Sequence, residues 1–208
     1  MKFIAHRGYT NKNIKENTHE AFENAILNGF EGIECDVRMT KDKFPVVCHN
    51  AFIGKTSDSY GLINSYTYDE LKNFNFGSKE TKSKIPLLKD VLTKYSQIKI
   101  IELKEYIDIK SIYNYIDDNT YFISFDTTMI KQLKREFPKL KFGILNMILN
   151  TYENYDLDII CILDSLMTKN IENYFTKKGI KIFIYGIYKQ IKYKSDNPDI
   201  YYIVDKKY

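Results

Sequence analysis

The sequence predicts an α/β fold, a single compact (β/α)8 barrel over residues 1–208 with one extra hairpin strand near 45–49. Three observations predict it. Nine short runs rich in β-branched and aromatic residues recur, at 3–7, 32–38, 45–49, 98–104, 121–125, 141–145, 159–163, 180–187 and 200–204. Helical patterns separate most of them, the alternation that gives parallel strands with helices outside. The length of 208 residues lies near the lower end of the roughly 200 to 250 that such a barrel takes. An open doubly wound sheet is the competing arrangement.

The elements follow in order. The first run, "IAHRGY", carries His6 and Arg7 to Gly8, which lets the chain turn close to a ligand. In the first helical pattern Asn17 can cap and Glu20 stands three residues on. Ala21, Phe22, Ala25 and Ile26 share one face, and Gly29 ends it. His19, among glutamates on that helix, reads as exposed. The link "MTKDKF" between the second and third runs is too short for a crossover helix and right for a hairpin. The run 45–49 therefore folds back, and eight runs remain for the barrel. Segment 50–66, with its Gly, Ser and Asn, reads as a short active-site loop. A second helix opens after Asp126, aligns Ile130, Leu133 and Phe137, and stops at Pro138. A third carries Ile171, Tyr174 and Phe175 before Gly179. No linker, internal repeat or low-complexity tract interrupts the chain.

Composition narrows the class. Apolar residues make up 44% and charged residues 28%, ordinary for a globular domain. The net charge of +4 is spread among interleaved acids, with no basic block of the kind a nucleic-acid partner needs. The N-terminal residues lack the apolar stretch of a secretion signal. No run reaches the roughly 18 apolar residues of a stable membrane insertion. Cys35, Cys48 and Cys161 each lie in a strand-like run, and Cys35 and Cys48 alternate away from the charged positions. They read as free packing thiols in a reducing, cytoplasmic compartment. The sequence carries no signal for an oligomeric state.

Chemistry in such a barrel sits where strands end. The first run ends in His6 and Arg7. The second, "GIECDV", holds Glu34 and Asp36 two apart on one face. The returning run "PVVCHN" ends in His49, and "IKIIELK" holds Glu102 and Lys104 two apart. Each piece alone has a bland reading, a solvated strand face or a surface ion pair. Together they point elsewhere. Helices cover the outside of a parallel barrel, so these charges must meet in its mouth or stay unpaired in its core, which is costly. Three carboxylates suit a hard cation, Mg2+ or Ca2+, better than zinc. Arg7 and Lys104 can neutralise charge growing on phosphorus, and His6 and His49 can serve as base and acid. These parts fit cleavage of a phosphodiester.

The segments "AHRG", "ENT-HEAF-ENA", "G-IE-DV--TKD--PVV-H" and "IIELK" resemble the glycerophosphodiester phosphodiesterase family. The resemblance is specific over 4–50 and around 102–104, and continues more loosely through "IPLLKDVL", "SFD" and the closing "YYIVD". It implies a phospholipase C-like phosphodiesterase barrel. It implies Glu34, Asp36 and Glu102 as ligands of a divalent metal ion and His6 and His49 as general acid and base. Arg7 and Lys104 would bind phosphate. The implied substrate is a small glycerophosphodiester, attacked by its own glycerol 2-hydroxyl to a cyclic phosphate and hydrolysed to glycerol 3-phosphate and an alcohol. Glu16 matches a family glutamate and either braces Arg7 or favours the helix start.

The chain departs from the pattern at several points. Asn50 replaces the usual Asp after the second histidine, and Lys55 stands where an arginine is common. Tyr185, Gly186, Ile187 and Tyr188 replace Trp-Thr-Val-Asn in a wall expected to shape the alcohol side of the pocket. The helix expected after that wall is compressed to "KQIKYKSDNP". The family's inserted cap is expected to be absent, with 50–66 in its place. These departures keep two alternatives open. One is a phosphodiesterase or lyase acting on another alcohol, such as a lysophospholipid or a glycerol-phosphate polymer. The other is a barrel that binds phosphodiesters without turnover.

Overall fold

The computed structural model describes residues 1–146, 157–186 and 191–207. All nine runs are strands: β1 (Lys2–Ala5), β2 (Gly32–Met39), β3 (Pro45–Val47), β4 (Ile98–Leu103), β5 (Thr120–Ser124), β6 (Lys141–Asn146), β7 (Ile159–Leu163), β8 (Lys181–Tyr185) and β9 (Ile200–Val204). They pair in the order β1-β9-β8-β7-β6-β5-β4-β2-β3, and β1 also pairs with β2. That last pairing closes eight parallel strands into a barrel. The extra strand β3 runs antiparallel on β2, with Val37 opposite Val47. Strands shorter than expected release functional residues into turns. β1 stops at Ala5, so His6 and Arg7 leave the ladder, and β3 stops at Val47, so His49 does too.

Alternation along the strands separates two cores. Ile4, Ile100, Ile123, Cys161 and Phe183 fill the inside of the barrel. Ile33, Cys35, Val37, Ile101 and Phe122 face outward under the helices. Glu34 and Asp36 stand on the inner face of β2, and Asp36 is in register with Glu102 of β4. The cysteines are buried and unpaired.

The helical layer is thin: α1 (His19–Leu27), α2 (Tyr68–Leu71), α3 (Leu88–Lys94), α4 (Thr127–Glu136) and α5 (Lys169–Lys177), with a 3-10 helix at Ile109–Tyr115 between β4 and β5. Short crossovers are how the barrel fits this chain length. Asp126 caps α4 as its sequence predicts, its side chain accepting from Met129 N. The cap of α1 is Thr18, not Asn17: Thr18 Oγ1 accepts from Ala21 N at 3.2 Å. Asn17 has a φ of +57° and turns its amide inward instead. Between β8 and β9 the described residues 191–199 form no helix. Glu172 of α5 fastens this stretch, accepting from Tyr193 Oη and Ser195 Oγ at 2.5 and 3.0 Å.

The segment after β3 corrects the short loop expected over 50–66. It runs to residue 87, contains two 3-10 turns and α2, and closes over its own cluster of Val46, Cys48, Ile53, Ile63, Leu71, Phe76, Ile85 and Leu87. Its apolar residues are too widely spaced to register as a period-2 or period-3.6 pattern, so its core was illegible in the sequence. No helix among the described residues is long and apolar enough to cross a membrane.

Candidate active site

β2 and β4 build the centre. Glu34, Asp36 and Glu102 each offer a carboxylate oxygen, and these oxygens lie within 4.8 Å of one another. The three residues are 2%, 0% and 9% exposed. Burial and the neighbouring Asp36 push the Glu34 carboxyl up to about 8. The same two causes raise Glu102, with Lys104 opposing. Burial alone would also raise Asp36, but Lys104 and Arg7 hold it below the usual carboxylate range.

Both cations stand beside Asp36. Arg7 Nε lies 3.2 Å from Asp36 Oδ2, and Lys104 Nζ lies 2.9 Å from Asp36 Oδ1 while also touching Glu102. By angle neither Asp36 contact is a well-formed hydrogen bond, and Asp36 Oδ1 is left without an aligned donor among the described residues. Burial would lower the Lys104 ammonium, yet Asp36 and Glu102 keep it above its ordinary value. The Arg7 backbone N–H donates to Glu34 Oε2 at 2.9 Å, which the residue's φ of +56° permits. Glu16 braces the guanidinium, accepting from Nη1 at 3.1 and 3.3 Å. Of the two readings of Glu16, the brace is what the structure contains.

The two histidines are held alike. His6 Nδ1 lies 2.8 Å from Asp205 Oδ1, a carboxylate oxygen that accepts, so Nε2 is turned inward, 4.0 Å from Glu34 Oε2. Burial would lower the His6 pKa, but the hydrogen bond to Asp205 and the charge of Glu34 raise it. His49 Nδ1 donates to Asn50 Oδ1 at 2.9 Å, which again leaves Nε2 free. The His49 carbonyl accepts from Arg38 Nε at 2.8 Å, and the imidazole is close enough to Glu102 to favour its ionised form. Asn50 thus orients His49 without a charge.

Tyr185 ends β8 and packs against the barrel-interior cluster. Ile187 and Tyr188, the rest of the expected wall, lie outside the described residues. His19 is half-buried rather than exposed: its Nδ1 meets Tyr95 Oη at 2.9 Å between α1 and α3. Two site residues escaped the sequence reading. Asn17 Nδ2 donates to Asp36 Oδ2 at 2.9 Å, and its Oδ1 accepts from Asp36 N at 3.3 Å. Asp205 closes the run "YYIVD", which the resemblance includes without a role for its carboxylate.

The donor set fits a hard divalent cation. Three buried carboxylates whose oxygens lie within 4.8 Å of one another form an all-oxygen set, and oxygen ligands of this kind suit Mg2+ or Ca2+.

Comparison with known proteins follows the same line. Residues 6–178 match the model of the glycerophosphoryl diester phosphodiesterase family. A glycerophosphodiester phosphodiesterase of Bacillus altitudinis is 34% identical over 169 residues, covering 70% of this chain and 66% of that protein. The matched region thus spans just under two thirds of that relative's length. The crystal structure of a glycerophosphodiester phosphodiesterase from Agrobacterium tumefaciens superposes with a TM-score of 0.83 at 22% identity, covering 99% of this chain and 95% of that one. An Oleispira antarctica phosphodiesterase in complex with the product sn-glycerol-3-phosphate gives a TM-score of 0.77 at 23% identity over 88% and 83% of the two chains.

Proposed function

This chain belongs to the glycerophosphoryl diester phosphodiesterase family, and from that membership we propose that it hydrolyses small glycerophosphodiesters to glycerol 3-phosphate and a free alcohol. The single observation that carries the reading is the convergence of three buried carboxylates, two cations and the inward-facing Nε2 of His6 at one end of the barrel, with the His49 imidazole near Glu102.

Glu34, Asp36 and Glu102 would hold a divalent metal ion. When bound, Mg2+ or Ca2+ supplies Lewis-acid stabilisation of phosphoryl charge and eases ionisation of an oxygen nucleophile. The protein's own groups do the rest. Arg7 and Lys104 face the non-bridging phosphate oxygens and offset the charge that grows on them. One histidine takes the proton of the glycerol 2-hydroxyl as that oxygen attacks phosphorus. The other gives a proton to the departing alcohol oxygen, so one P–O bond forms and one breaks. His6 and His49 are the acid and base pair of this reading, and Asp205 and Glu34 favour a second proton on His6. Water then opens the cyclic phosphate with the roles reversed, and the net reaction consumes one water. Tyr185 flanks the substrate from the interior wall.

Binding without turnover is disfavoured by Asn50, which still fixes the His49 tautomer. The test is release of glycerol 3-phosphate from glycerophosphocholine or glycerophosphoethanolamine with Mg2+ or Ca2+ present. Full activity in a chelator would remove the metal from the mechanism, and accumulation of a stable cyclic phosphate would mark a lyase.

A further inference from the structure

A cavity of about 510 Å3 lies beside the carboxylate cluster, walled by the β1–α1 turn and by the segment after β3. It adjoins the site at two places. Asn50, the partner of His49, and Glu16, the brace of Arg7, both line it. Three lysines, Lys15, Lys55 and Lys79, come to the same cavity from three separate segments, and all three are exposed. Among the described residues none of their ammonium groups has an ion pair or a side-chain hydrogen bond. Two acids share the cavity: Glu16 is taken by Arg7, and Asp58, whose Oδ1 accepts from Asn75 N at 2.8 Å, is outnumbered by the three lysines.

Unpaired like charges around one concavity repel one another and focus a positive potential that an anion relieves. A lysine ammonium is a strong point-charge partner for phosphate. The volume exceeds what a choline or ethanolamine group fills and falls in the usual range for a small-ligand site. We propose that this cavity receives the alcohol half of the diester and selects an alcohol that carries a phosphate of its own, such as a second glycerol phosphate unit. The proposal rests on the diesterase reading above, and a cationic alcohol is the poor fit.

The test compares three substrates: glycerophosphocholine, glycerophosphoglycerol, and glycerophosphoglycerol bearing a terminal phosphate. The triple variant Lys15→Gln, Lys55→Gln, Lys79→Gln removes surface charge only, so its melting temperature should match the wild type. Wild type should show its lowest KM on the phosphate-bearing substrate, rising steeply with salt. In the triple variant that KM should rise about tenfold or more, while kcat and KM on glycerophosphocholine stay within twofold. Equal KM shifts on all three substrates, or none, would overturn the proposal. If the wild type cleaves none of the three with metal present, the diesterase reading fails by itself. The cavity is then judged by calorimetric binding of the phosphate-bearing diester, where lysine-dependent binding supports it and no binding overturns it.

Discussion

His6 and His49 are fixed through Nδ1 by different acceptors, a carboxylate and an amide; His6 presents Nε2 to Glu34, and the His49 imidazole stands near enough to Glu102 to favour its ionised form. Two imidazoles in one tautomeric arrangement form an acid–base pair in waiting. His6→Ala or His49→Ala should lower kcat by about 10²- to 10⁴-fold while leaving the circular-dichroism melt in place, and full activity in either variant would remove that group from the chemistry. Glu34 supports a pH prediction. Its folded-state pKa, about 8, is raised above the unfolded value, so it contributes stability below the unfolded pKa of about 4.3 that is lost as pH rises through about 8. Metal-free protein should therefore melt lower at pH 8 than at pH 5, and Glu34→Gln should flatten that fall. Identical pH profiles for the two would show that Glu34 does not carry the effect. Glu34, Asp36, Glu102 and Lys104 were legible in the two-residue alternation of a strand, and His6, Arg7 and His49 as the residues that directly follow apolar runs. Asn17 and Asp205 were not. Both lie in segments that carry the resemblance, but their roles depend on a left-handed backbone at Asn17 and on the last strand returning beside residue 6, which no local pattern gives.

At the scale of elements, the β1–α1 turn sets the most. Arg7 and Gly8 both have positive φ, +56° and +82°. A Cβ on Gly8 would stand 2.6 Å from Ala21 Cβ and 2.7 Å from the Ala21 backbone carbon. Gly8→Ala should lose about 2–4 kcal/mol by chemical denaturation, from the left-handed backbone and from overpacking against α1. It should also cut activity, because α1 and the Arg7 turn can no longer close on each other. Strand existence was readable nearly everywhere, since apolar runs bounded by turn residues are a short-range signal. Helix caps and strand ends were less so. The true cap, Thr18, neighbours the expected one, and what decides between them is a hydrogen bond from Asn17 to a carboxylate 19 residues on.

For the whole molecule, the β1–β9 ladder brings residues 6 and 205 to one end, the β2–β4 ladder gives the three carboxylates a common focus, and β1–β2 pairing closes the barrel so that the two meet. Bringing like charges together there opposes folding, and a cation bound only by the native state reverses it. Adding Mg2+ or Ca2+ at about 100 times its dissociation constant should stabilise the protein by about 2.7 kcal/mol, seen as a rise in melting temperature. Asp36→Asn should abolish that rise, and an equal rise in the variant would place the ion elsewhere. The fold class and the hairpin strand were legible in the sequence because alternation and link length suffice for both. The packed segment 50–87 was not, because its core is assembled from single apolar residues far apart in the chain.

That segment folds around a centre separate from the two that hold the barrel. A region with its own nucleus behaves as a cassette: substitutions within it are screened for their effect on what the site accepts, with the barrel frame left standing. Hydrogen exchange should resolve it as an independent opening unit, its amides exchanging ahead of those in β4 and β5. Exchange in step with those strands would mean that recognition and scaffold change only together.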